Sequence, residues 1–263
     1  MVRTSIVLPP EAPLAPPNSF CMSVGSPSLA LAPDGSKLVY VALVDDTRQL
    51  YRRDMRTGKF QPMAGTEDAQ GPFFAPDSQW VGFLAEGKMK KVRIEGGEPE
   101  ELADVVWGHG GEWGTDGFVY FCPTEMQAVH RVPVAGGSVE AVTRRAPGEM
   151  MHLWPTLVPG NKHLLVTRIR GRTASIGQAR IGGEEPPATL FERGAWGRLT
   201  ATGHLVIASE GRLLASPYHH ATMQLIDAPT VLLEDVRTEN SFTSNPRTAD
   251  SESVGHYPAL GTI

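Results

Sequence analysis

Ala32-Pro33-Asp34-Gly35-Ser36-Lys37-Leu38-Val39-Tyr40-Val41-Ala42 joins a tight turn to a β-branched and aromatic run. Pro33 presets φ for the second position of a β-turn, Asp34 can bond its own following backbone, and Gly35 suits the fourth position before the chain re-extends. The run from Leu38 therefore reads as a strand. Ala75-Pro76-Asp77-Ser78-Gln79-Trp80-Val81-Gly82-Phe83-Leu84-Ala85 repeats the pattern, with 43 residues from Asp34 to Asp77. A weaker copy, Gly114-Thr115-Asp116-Gly117-Phe118-Val119-Tyr120-Phe121, follows 39 residues further on. Two degraded copies come next. Val158-Pro159-Gly160-Asn161 leads into His163-Leu164-Leu165-Val166, and Ala201-Thr202-Gly203 leads into His204-Leu205-Val206-Ile207. A sixth copy near Asp250 keeps the polar turn and a poor strand.

Between these turns a second alternating segment recurs. Gln49 to Met55 is followed by Thr57-Gly58, Lys88 to Ile94 by Gly96-Gly97, Ala128 to Val134 by Gly136-Gly137, and Ser175 to Ile181 by Gly182-Gly183. Each such glycine pair marks a hairpin that demands positive φ. A unit thus holds four antiparallel strands. No segment sustains an apolar period of 3.6 residues, and repeats at about 40–50 residues mean stacked or radial units. The fold class is all-β: a β-propeller of four-stranded antiparallel blades, five clear and a sixth partial. Residues 1–25, with Pro9, Pro10, Pro13, Pro16 and Pro17, form an extended lead-in, and 26–263 form the propeller with its last blade incomplete. The strand near Ser5 to Leu8 is expected to close the ring against residues 250–260, because an open ring exposes two unpaired sheet edges.

The blade pattern resembles the β-propeller of TolB and the propeller that follows the membrane span in many bacterial serine/threonine receptor kinases. Its carriers are Leu29 to Val41, Phe73-Phe74-Ala75-Pro76-Asp77-Ser78 and Leu50-Tyr51-Arg52-Arg53-Asp54. The resemblance implies a binding scaffold or a sensor region and places the chain in the bacterial cell envelope. It implies no single chemistry, because blades of this kind serve binding, sensing and peptidase-associated proteins alike.

Composition narrows the partners. With 41% hydrophobic and 20% charged residues, the 263-residue chain is an ordinary globular protein. Its formal charge of −5 gives no footprint for nucleic acid or an anionic membrane. The sequence shows no spanning segment and no signal-peptide core, so a soluble chain without membrane insertion is expected. Cys21 and Cys122 stand far apart in no metal-type spacing. No Gly-x-Ser-x-Gly elbow and no kinase loop set occurs. Tyr51-Arg52-Arg53-Asp54 only superficially resembles one, and its alternation places it on an edge-facing strand. Asp34, Asp77 and Asp116 read as turn residues rather than metal ligands, since equivalent positions in a radial fold stand too far apart to share an ion.

One constellation remains. Counting back about seven residues from the turns gives Gln70 before Asp77, His109 before Asp116, His152 or Leu153 before Gly160, and Ala195 or Trp196 before Thr202. Gln70, His109, His152 and Trp196 are the candidates at the starts of the innermost strands, around one mouth of the central channel. A ring of polar and aromatic groups there is a ligand site, and imidazoles in it titrate near pH 6.5 unless perturbed. Trp107, Trp113 and Trp154 read as packing between sheets. The expected function is a non-catalytic binding or protein-interaction module that takes a protein segment or small ligand at one face. The alternatives are the sensor fragment of a receptor kinase, or an enzyme using His109 or His152 with a metal or as a general base. No residue names a cofactor.

Overall fold

The computed structural model describes residues 6–16, 27–106, 108–124 and 127–236. These carry 21 strands and no helix. The first sheet holds β1 (Leu29–Leu31), β2 (Lys37–Val44), β3 (Thr47–Asp54) and β4 (Phe60–Glu67). The second holds β5 (Gln70–Phe74), β6 (Trp80–Ala85), β7 (Lys88–Arg93) and β8 (Glu100–Asp104). The third holds β9 (Gly111–Trp113), β10 (Phe118–Phe121), β11 (His130–Pro133) and β12 (Glu140–Ala141). β13 (Met151–Leu157), β14 (His163–Arg170), β15 (Thr173–Arg180) and β16 (Ala188–Glu192) form the fourth. The fifth holds β17 (Trp196–Leu199), β18 (His204–Ser209), β19 (Arg212–His219), β20 (Gln224–Leu225) and β21 (Thr230–Leu233). Each sheet is antiparallel in chain order, except that β21 passes β20 to pair with β19. Tyr51 to Asp54 therefore lie on β3, inside the first sheet and covered by β4, not on the edge the alternation implied.

The turn chemistry is as the sequence dictates. Oδ1 of Asp34 accepts the Ser36 N–H at 2.9 Å, Asp77 that of Gln79 at 2.8 Å and Asp116 that of Phe118 at 3.3 Å. The residue closing each turn is left-handed in all five sheets: Gly35, Ser78, Gly117, Asn161 and Gly203 have φ of 72°, 60°, 83°, 50° and 78°. Glycine adopts this region freely and Asn tolerates it, which accounts for Asn161 in a degraded copy. Where glycine is absent the side chain links sheets instead. Ser78 Oγ accepts the Asp34 N–H, and the Asn161 amide oxygen, placed to satisfy its neighbours, accepts from Thr115.

The first strands form the inner ring, with β5 packed on β1, β9 on β5, β13 on β9 and β17 on β13. No comparable packing joins β17 to β1 among the described residues. Apolar side chains fill the seams: Val39, Val41, Leu50, Val81, Phe83 and Val92 between the first and second sheets, and Leu165, Ile176, Leu205, Ile207 and Tyr218 between the fourth and fifth. Gly82 stands mid-strand because the Phe73 ring occupies the place of its side chain, and a Cβ there would lie 2.2 Å from that ring.

The proline-rich lead-in is docked. Leu14 bridges Ala42 on β2, Ala15 N–H donates to the Val41 carbonyl, and the Tyr40 hydroxyl donates to the Ala12 carbonyl at 3.0 Å. Leu8 and Leu14 pack with Tyr40, Tyr51 and Phe60. This strap covers the first sheet's outward face. Ring closure by Ser5 to Leu8 against residues 250–260 lies largely outside the described residues, and Ile6 to Leu8 join no strand.

Candidate functional site

All four residues chosen by offset stand at the starts of inner strands. Gln70 opens β5, His109 precedes β9 by two residues, His152 is second in β13, and Trp196 opens β17. Their surroundings differ. Gln70 and Trp196 are half-buried, and Trp196 packs beside Val206, Ala208 and Val236. His109 is 7% exposed and His152 fully enclosed, so the two imidazoles do not stand open at the mouth. For His152 the reason is local: the linker from the blade before it seals the start of β13.

His152 illustrates how that sealing works. Ala146-Pro147-Gly148-Glu149 forms a tight turn, with Gly148 at φ 80° and the Glu149 N–H donating to the Ala146 carbonyl. Proline second and a left-handed glycine third fit a type II turn. The turn folds the Glu149 carboxylate inward. Its Oε2 accepts the Ala146 N–H at 2.7 Å and lies 3.1 Å from His152 Nε2, while Oε1 accepts from Arg168 Nε at 2.6 Å. On the other side of the ring, Nδ1 lies 2.9 Å from Thr143 Oγ1, which accepts the Val129 N–H. A neutral imidazole satisfies this chain, accepting from Thr143 at Nδ1 and donating to Glu149 from Nε2.

Electrostatics agree with the neutral form. Burial lowers the His152 pKa below the ordinary histidine value, and Glu149 only partly offsets it. For Glu149, burial acts upward, but the Ala146 N–H, His152 and Arg168 outweigh it and the carboxyl stays low. Cys122, close by, is inert: burial pushes its thiol up to about 12.

A second polar pair lies on the inner strands and was not selected by offset. Glu112 on β9 meets Arg198 on β17 at 3.5 Å, spanning from the third sheet to the fifth. Burial pushes the Glu112 carboxyl up, against the pull of Arg198 and the Leu157 backbone N–H. Thr156 and Thr167 complete the join, their hydroxyls donating at 3.1 Å to the Gly197 and Ala195 carbonyls. The signal was available, since Glu112, Thr156 and Arg198 each stand four residues before the third turn position. A count that stopped at the strand starts passed over them.

Comparison with solved structures gives the class. TolB from Acinetobacter baumannii matches with a TM-score of 0.60 at 17% identity, over 74% of this chain and 51% of that one. A TolB-assigned structure from Agrobacterium tumefaciens matches at 0.53 and 17% identity, over 66% of this chain and 69% of that one. A protein of unknown function from Desulfotomaculum acetoxidans matches at 0.57 and 15% identity, over 83% and 74%. The fold is a TolB-like β-propeller. The chain spans about half the length of the Acinetobacter protein. No protein-family model and no curated protein matches its sequence.

Proposed function

We propose that the chain is a binding module that takes a protein segment or small ligand at the face where the inner strands begin, without catalysing a reaction. The observation that carries this reading is the state of His152. A general base needs an imidazole within reach of substrate, and this one is fully enclosed, bonded at both nitrogens and biased to the neutral form. Gln70 and Trp196, half-buried where β5 and β17 begin, carry an amide and an indole, which recognise ligands rather than transform them.

The test is selection of peptides from a displayed random library against the full chain, followed by calorimetry. One-to-one binding is expected, weakened roughly tenfold by Gln70→Ala combined with Trp196→Ala. Turnover of a peptidase, esterase or phosphotransfer substrate, abolished by Glu112→Gln, would overturn the reading.

A further inference from the structure

The hairpin joining the second and third strands of a blade lies at the same end as the start of its inner strand. Four of these hairpins are two-residue turns, closed by the pairs Val44 with Thr47, Ala85 with Lys88, Arg170 with Thr173, and Ser209 with Arg212. In three of them the first turn residue is acidic. Asp45, Glu86 and Glu210 have φ of 48°, 52° and 48°. The fourth blade departs from this rule. Its turn begins with Gly171 at φ 55°, flanked by the exposed Arg170 and Arg172.

The linker entering that blade adds to the same end. Arg144 and Arg145 are exposed, and Arg145 donates to the Glu149 and Met150 carbonyls at 3.2 and 2.7 Å. The Met150 N–H in turn donates to the Ile169 carbonyl, beside Arg170. Glu149 does not neutralise these guanidinium groups, because its carboxylate is enclosed with Arg168 and His152. Among the described residues no ion pair involves Arg144, Arg145 or Arg170, whereas Glu86 pairs with Lys90 and Glu210 with Arg193 and Arg212.

We propose that this end of the fourth blade docks a short carboxylate-rich peptide segment, a reading that rests on the binding function above and names its partner. The cations are all arginine, whose planar fork binds carboxylate through two parallel bonds. A short segment fits the charge layout better than an extended polyanion. Asp45 and Asp46 on the first blade, within a chain of net charge −5, repel a nucleic acid or anionic bilayer laid across the whole face.

The test is fluorescence anisotropy of fluorescein-labelled octaglutamate with the full chain at low ionic strength. The expected result is saturable binding that weakens roughly tenfold in R170E/R172E and also on raising salt to about 0.2 M, since exposed charges are screened. The neutral R170Q/R172Q gives a smaller loss, and the control Glu86→Lys stays within about twofold. Circular dichroism of each variant confirms the fold. Equal binding of octaserine, or affinity unchanged in both arginine variants, would overturn the proposal. So would tighter binding of single-stranded DNA or phosphatidylserine vesicles lost in the same variants, or arginine-dependent self-association in sedimentation without peptide binding. If library-selected peptides bind at Gln70 and Trp196 while octaglutamate does not, this proposal falls and the binding function stands.

Discussion

The seam between the first and second sheets and the seam between the third and fourth share a backbone plan and differ in chemistry. The first is closed by Val39, Val41, Leu50, Met63, Val81, Phe83 and Val92. The second is apolar over Tyr120, Val129, Leu164 and Val166, but where β13 begins it holds Glu149, His152, Arg168 and Thr143. Repeated blades thus fix where seams run without fixing how they are filled. An apolar seam draws its stability from removed water and is indifferent to pH. A seam with an enclosed carboxylate and imidazole is stable only while their protonation states suit the bonds they make.

The largest effect is expected from Phe83→Ala in the apolar seam. Losing a fully buried ring costs about 3–5 kcal/mol, measured by urea unfolding, and by about the same amount at pH 7.5 and 5.5. A pH-dependent loss would erase the contrast between the seams. Glu149→Gln should follow, at about 3 kcal/mol near neutral pH. Breaking an enclosed pair strands the partner charge, although Arg168 keeps some access to water. Replacing Glu149, His152 and Arg168 together by Leu, Phe and Met should recover much of that loss. No recovery would show that the polar seam contributes more than a matched apolar one.

A pH series sharpens the same comparison. The unfolded chain protonates His152 as pH falls through about 6.5, whereas burial keeps the folded imidazole neutral to lower pH. The unfolded state then binds more protons, so stability drops on acidification. Glu149, held low, extends that loss through the ordinary glutamate range. Glu112, held high, acts oppositely, its contribution present in acid and fading as pH rises. The melting temperature should therefore fall from pH 7.5 to 5.5, and His152→Gln should flatten the fall. A variant as steep as the parent would remove His152 from the account. The smallest effect is that of Tyr40→Phe, about 1 kcal/mol for the lost bond to Ala12, with faster amide exchange at Ala12 and Ala15 as the readout.

The sequence disclosed the fold more fully than the site. Pro33-Asp34-Gly35 and Ala75-Pro76-Asp77-Ser78 specify turns by local sterics, so the blades were countable even where Asn161 stands for glycine. The starts of inner strands followed from the same count. What could not be counted was the direction each side chain takes once a linker packs over it. His152 reads as a free imidazole until the Pro147-Gly148 turn brings Glu149 beneath it, a contact set by a seam between sheets. Glu112 and Arg198, 86 positions apart, likewise meet only because the ring carries the chain through one intervening blade.

The in-order pairing of each sheet has a consequence for how the chain is made. Every ladder outside the β21 detour joins strands that are neighbours in sequence, so loop closure is short and the contact order is low. A nascent chain can therefore complete one blade before the next has left the ribosome, each new sheet growing on the exposed flank of its predecessor as in other linear repeats. Among the described sheets, the first is made before the other four. The strap of Pro9 to Pro16 is synthesised before it and lies on its outward flank, a built-in chaperone for a sheet face that the four later sheets leave open while they assemble.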